Sequence, residues 1–128
     1  ITKERDKRKF LEDLRDTLKF LSWAPTVFIS AHKKAGTGAL FPLIQRVYDA
    51  ASRRITTGEL NRFVDTLEWE YDMKIYYMTQ ASIRPPTFVV FTDKADKMHF
   101  SAERFLVNRL REKFDFTGTP IAITSKRR

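Results

Sequence analysis

The run Ile29-Ser30-Ala31-His32-Lys33-Lys34-Ala35-Gly36-Thr37-Gly38 is the first place where residue types and spacing suggest chemistry. An apolar segment ends in Ser-Ala, a glycine loop comes next, and then a helix start. In an α/β sheet the C-terminal end of a strand turns free backbone N–H groups toward the usual ligand crevice. Ser30, Ala31 and His32 are therefore candidates for a base-reading loop of a nucleotide-binding fold. A second set is basic: Arg53, Arg54, Arg84, Arg104, Arg109, Arg111 and the closing Lys126-Arg127-Arg128. Arginine dominates it, and the planar guanidinium fork suits phosphate oxygens. Other constellations are poorer. His32 and His99, the only histidines, stand far apart and read as loop or surface residues. Asp93 and Asp96 share a polar stretch with Lys94 and Lys97, which reads as a solvated turn. No Ser-His-Asp, Cys-His or metal-ligand spacing is present, and no Gly-x-x-x-x-Gly-Lys-Ser/Thr phosphate loop. The expectation is no catalytic residue and no metal site in this chain.

Composition bounds what these residues can serve. At 128 residues, 42% of them hydrophobic, the chain suits one domain, or one small domain plus a piece of a neighbour. There are no cysteines, which excludes disulfides and thiolate zinc sites and suits a reducing, cytoplasmic compartment. No apolar run approaches the roughly 20 residues of a membrane span, so no membrane partner is expected. Ile1-Thr2-Lys3-Glu4-Arg5 lacks an initiator Met and is charged where a signal peptide would turn apolar; it reads as a cut end. Net charge is +8, with ten basic and six acidic groups in residues 1–52 and fourteen and ten in residues 53–128. Such a balance attracts polyanions, of which RNA and DNA are the common cases.

The elements that must position these residues emerge from periodicity. Residues 3–21 carry Phe10, Leu14, Leu18 and Leu21 at helical spacing. Residues 26–29 form a compact apolar run after Pro25 and predict a buried strand. A helix is predicted from 37–39 onward, with Leu40, Leu43, Ile44, Val47, Tyr48 and Ala51 on one face and Pro42 tolerated in its first turn. Residues 1–52 thus read as helix–strand–helix, with the strand needing a sheet from elsewhere or from residues 53–128. Beyond Arg53-Arg54, Thr56 and Glu59 make a capping box for a helix that buries Leu60, Phe63, Val64 and Leu67. Strands are predicted at 73–79, with Ile75 and Tyr77 on one face, and at 87–92, with Pro85-Pro86 leading in. Ser101 is expected to cap a further helix, with Phe100 and Phe105 as its hydrophobic staple and Phe105, Leu106, Leu110 and Phe114 as its buried stripe. After Gly118 and Pro120 a last strand covers 121–124. The order α-β-β-α-β supports a three-stranded sheet covered by helices.

Several motifs in this order carry a resemblance. They are Ile55-Thr56-Thr57-Gly58-Glu59-Leu60-Asn61, the Thr79-Gln80-Ala81-Ser82-Ile83-Arg84-Pro85-Pro86-Thr87-Phe88 run, Arg104-Phe105-Leu106-Val107-Asn108-Arg109-Leu110-Arg111-Glu112, and Phe116-Thr117-Gly118-Thr119-Pro120-Ile121. Together they resemble the EngA, or Der, family: bacterial proteins with two tandem GTPase domains and a KH-like domain, acting in assembly of the large ribosomal subunit. The resemblance implies that residues 1–52 are the closing part of the second, P-loop GTPase domain and residues 53–128 the KH-like domain. It implies a guanine-recognition loop at Ser30, Ala31 and His32. GTP and magnesium are implied as cofactors of the parent protein and none for this fragment, which lacks the phosphate loop and the magnesium and Asn-Lys-x-Asp motifs. The implied partners are ribosomal RNA, the large ribosomal subunit and the protein's own GTPase domains. An alternative is that the KH-like part is an interdomain switch that reports nucleotide state and has little RNA affinity alone. Three departures stand out. Only Glu70-Tyr71-Asp72 links the first KH-like helix to its strand, Ala102 replaces a usual aromatic, and there is no Gly-x-x-Gly clamp.

Overall fold

The computed structural model describes residues 4–94 and 98–128. The charged opening stretch forms helix α1 (Glu4–Thr17), with a 3-10 turn after it at Lys19–Leu21. Its apolar stripe is thin. Phe10 meets Phe28 edge-on with ring centroids 5.9 Å apart, and no residue of α1 is buried. The predicted strand at 26–29 does not form: these residues pair with no strand, and the sole bridge nearby joins Ser30 to Ala35. A strand exists only through its ladder. Among the described residues nothing lies alongside 26–29 to supply one, and the three-stranded sheet of the second part does not take it in.

Helix α2 (Thr37–Ala51) starts from Gly36 at φ 78°. A side chain cannot replace that glycine, because a Cβ would stand 2.1 Å from the Phe28 carbonyl oxygen. Pro42 lies inside α2 rather than in its first turn. Its ring nitrogen therefore leaves the Gly38 carbonyl without an i+4 donor, which the solvent-facing start of the helix tolerates. Among described residues up to 52, only Ala50 is buried, so this part has no core of its own. It leans on residues further along the chain. The Gly118 N–H donates to the Trp23 carbonyl (3.2 Å) and the Arg84 N–H to that of Ala51 (2.9 Å).

The second part builds a conventional core. Thr56 and Glu59 close the capping box as expected: Thr56 Oγ1 accepts from the Glu59 N–H and the Glu59 carboxylate from the Thr56 N–H. Such a cap stabilises by about 1 kcal/mol. Helix α3 (Thr57–Asp65) buries Leu60 and Phe63, with Val64 and Leu67 packed at the edge of the core. Strand β1 (Ile75–Ser82) pairs antiparallel with β2 (Thr87–Thr92), and β2 pairs parallel with β3 (Ala122–Arg127), in the order β1-β2-β3. Helix α4 (Phe100–Lys113) crosses between β2 and β3 and buries Ala102, Leu106 and Leu110. The α-β-β-α-β order and the three-stranded sheet are as the sequence predicts, giving a mixed α/β, KH-like fold.

Two local expectations are corrected. A register shift between Ile75 and Tyr77 changes the parity of β1. Ile75 and Met78 therefore serve the core, while Tyr77 turns to the opposite face instead of sharing one with Ile75. At α4 the cap is His99, not Ser101: its ring Nδ1 accepts from the Ser101 N–H at 3.1 Å. The staple is absent as well. Phe100 is 73% exposed, and Phe105 packs on Trp69 and Tyr71 instead. Helix α3 ends at Asp65 and β1 begins at Ile75, so the connection runs over 66–74 rather than 70–72 and carries both aromatics; the Tyr71 hydroxyl donates to the Ser101 carbonyl at 3.2 Å.

Candidate nucleic-acid interface

The sheet has one dry face and one open face. Core-facing Met78, Phe88, Val90 and Thr92 are fully buried beneath the helices. On the other face the register sets the residues in rows across all three strands. Tyr77 pairs with Phe91 and Phe91 with Lys126; Thr79 pairs with Val89 and Val89 with Thr124. These side chains are partly or wholly exposed. The Tyr77 and Phe91 rings stack at 4.3 Å and 16°. The neighbouring row is short, so the aromatic pair stands above a floor of Thr79, Val89, Thr124 and Ala122.

The electrostatics of this face are one-sided. None of the three strands contains an Asp or Glu, and the end of the face holds Lys74, Lys126 and Arg128, while Arg127 shares the core-facing row of Thr92. Lys74 Nζ and the Arg128 guanidinium approach the Tyr76 ring at 5.1 and 5.0 Å from its centroid. Exposed cation–π contacts of this kind are weak, about 0.5–1 kcal/mol, and leave the cations free to move to a stronger partner. Asp93 follows β2 at this end, and its Oδ1 accepts the Lys74 backbone N–H at 2.8 Å. Asp96 lies outside the described residues. Asp72 is held below the usual carboxylate range by the hydrogen bond and charge of Lys94 (2.7 Å).

The arginines named from the sequence divide by environment. Arg111 is internal: it donates to the carbonyls of Phe116 (3.0 Å) and Thr119 (2.8 Å) and lies over Trp23. Burial lowers its pKa without depriving it of charge. Arg84, at φ 50°, donates to the Tyr48 hydroxyl at 2.6 Å and covers that ring. Arg54 donates to the Gln80 carbonyl at 3.0 Å, and Arg109 pairs with Glu112 at 2.8 Å while lying over Phe105. Arg53 is exposed beside the Phe114 ring, and Arg104 is exposed on α4. The structure thus brings together the β3 tail, whereas on α4 Arg104 and Arg111, seven residues apart, lie along one side and Arg109 on another, with Arg111 held by two carbonyls. Sequence reasoning missed Lys74, Tyr76, Tyr77 and Phe91. Their signal was the acid-free composition of the strands, hidden by the altered parity of β1.

The loop of Ser30, Ala31 and His32 is shaped by short bonds. The Ser30 N–H donates to the Ala35 carbonyl at 2.8 Å and Ser30 Oγ accepts from the Lys33 N–H at 3.3 Å, with Ala31 and His32 exposed. These residues do not by themselves fit a guanine nucleotide and its magnesium, since the sequence has no phosphate loop to complement the base contact. Among the described residues, no cluster of three His, Cys, Asp or Glu could hold a metal ion. No helix among them is long and apolar enough to cross a membrane.

Comparison with known proteins agrees with this architecture. Residues 54–126 match the family described as KH-domain-like of EngA bacterial GTPase enzymes, C-terminal. The chain is 44% identical over 125 residues to GTPase Der of Listeria welshimeri, covering 91% of this chain and 29% of that protein. It is 43% identical over 133 residues to GTPase Der of Bacillus cereus, covering 98% and 30% respectively. To GTPase Der of Geotalea uraniireducens it is 41% identical over 128 residues, covering 94% and 29%. The chain thus spans under a third of the length of these relatives. With a match over most of its length to that family and relatives above 40% identity, this chain belongs to the EngA/Der family.

Proposed function

We propose that this chain is the RNA-contacting C-terminal portion of a bacterial GTPase that acts in assembly of the large ribosomal subunit. In this reading residues 53–128 bind ribosomal RNA. Residues 1–52 are the closing part of the preceding GTPase domain, with Ser30, Ala31 and His32 in its guanine loop. GTP and magnesium belong to the parent protein, and this chain supplies only the base-side loop. The observation that carries the reading is the open, acid-free sheet face with its rim of Lys74, Lys126 and Arg128, beside which Arg127 adds charge at the end of β3. The exposed Arg53 and Arg104 add phosphate contacts at longer range. The test is direct binding of the chain to ribosomal RNA transcripts, with tRNA as competitor. Binding that is lost when Lys126, Arg127 and Arg128 are all changed to Gln supports the reading; no binding to any ribosomal RNA removes it.

A second reading is favoured by a separate observation. Phe20, Ile29, Phe41 and Ile44 are more than half exposed, an apolar surface on the part that has no core. It suits a module that packs against the GTPase domains of its own chain and transmits their nucleotide state. A chain with no RNA affinity alone, which binds those GTPase domains differently in GTP and GDP, would support this reading over the first. The two are compatible in a full-length protein.

A further inference from the structure

We propose that the open sheet face, rather than a helix-side cleft, is the RNA site, and that it takes unpaired nucleotides. A base stacks on the Tyr77–Phe91 pair and the adjoining phosphates are held by Lys126 and Arg128. The proposal rests on the RNA-binding reading above and specifies its site and substrate class. Ordinary KH domains clamp a nucleic-acid backbone with Gly-x-x-Gly, a motif this sequence lacks, so the contact must be made elsewhere.

Three observations place it on the sheet. First, the Tyr77 and Phe91 rings stack on each other at 4.3 Å, and Tyr77, on the edge strand, remains 36% exposed. A π-face of this kind accepts any base. Second, Phe91 is the register partner of Lys126, so aromatic, aromatic and cation lie in one row across the strands. The next row, Thr79, Val89 and Thr124, is low enough to leave room for a flat ring and offers two hydroxyls to it. Third, charge complementarity selects the occupant. The three strands hold no carboxylate, and Asp93 is turned to the Lys74 N–H. An A-form duplex keeps its base faces stacked inside and cannot use an aromatic platform, so the substrate is single-stranded.

The test is fluorescence anisotropy of the 128-residue chain with a labelled single-stranded RNA of mixed sequence and with the same RNA annealed to its complement. The expected result is at least roughly tenfold tighter binding of the single strand, since only unpaired bases can stack on the rings. Tyr77→Leu and Phe91→Leu should each weaken it by about 5- to 150-fold, the range for loss of one base–aromatic stack. Tyr77→Phe should retain most of the affinity, and it controls for disturbance of the strand pairing. If the Leu variants unfold, Tyr77→Thr, which keeps a strand-forming residue and removes the ring, replaces them and should weaken single-strand binding to the same degree. Wild-type binding to ribosomal RNA that is unchanged in the Leu variants, or a preference for duplex, overturns the platform and leaves the RNA-binding reading standing. No binding of wild type to either RNA overturns both. Loss of affinity for an isolated GTPase domain, in place of RNA, in the Leu variants makes this face a protein-docking surface and overturns the proposal.

Discussion

Replacing Gln80 by Leu should destabilise the protein by about 2 kcal/mol while leaving the open sheet face intact. Gln80 is 9% exposed and is the hinge between β1 and the start of α3. Its Oε1 accepts the Ile55 N–H at 2.7 Å; its Nε2 donates to the carbonyls of Arg53 (2.9 Å) and Ser82 (3.3 Å). Leucine has nearly the same volume, so the change opens no large cavity. The decisive term is the Ile55 N–H: Ile55 is 3% exposed, and water cannot replace the lost acceptor. A buried donor left without a partner costs about 1–3 kcal/mol. Arg53 and Ser82 are exposed, so their carbonyls recover water at little cost. For a chain of this size the loss corresponds to a fall of roughly 6–10 °C in melting temperature. Urea denaturation followed by circular dichroism would measure it, with Thr79→Ala on the open face as a control expected within about 0.5 kcal/mol of wild type. A Gln80→Leu effect no larger than that of the control would refute the account of this site.

Other perturbations address the junction, the internal arginine and pH. Gly118→Ala should cost about 2–4 kcal/mol in denaturant unfolding, because Gly118 sits at φ 79° and a Cβ would stand 2.4 Å from Val47 Cγ2. Arg111→Lys should lower stability by about 2 kcal/mol, since one ammonium cannot reproduce the fork to the Phe116 and Thr119 carbonyls. It should leave the salt dependence of RNA binding unchanged, whereas Arg104→Gln should do the reverse. Asp115 is held below its ordinary value of 3.8 by hydrogen bonds from the Thr117 hydroxyl and N–H. A lowered folded pKa means stability that is present above the unfolded value and lost as pH falls through the folded one. Asp115→Asn should therefore be less stable than wild type at neutral pH, by under about 1 kcal/mol for so exposed a group, and match it in strong acid. Unfolding curves at neutral pH and at a pH below about 3 would show whether the difference closes.

The fold of residues 53–128 was readable because local and tertiary preferences agree there. The Thr56–Glu59 box, the Leu106 and Leu110 spacing and the turn at Gly118 each specify their element without outside help. The strand expected at 26–29 failed because apolar composition reports only a tendency to burial, and a ladder also needs a neighbour. Ser101 lost the capping role because the helix starts at Phe100, which places Ser101 inside it and His99, whose ring nitrogen can also accept, at the capping position. The site was harder to read than the fold. A basic residue looks the same in sequence whether it braces a carbonyl pair, as Arg111 does, or faces solvent, as Arg104 does. Simple alternation puts Tyr77 on the wrong face because one irregular step after Ile75 shifts everything beyond it. Gln80, part of the motif that carries the family resemblance, has a structural duty: it ties the Ile55 N–H to β1.

The central claim, RNA contact through phosphate-directed basic groups, is tested most directly by the salt dependence of binding to ribosomal RNA. With about five phosphates neutralised, log affinity should fall against log salt with a slope near roughly −3.5 to −4.5. A slope near zero, or no measurable binding at low salt, would contradict it.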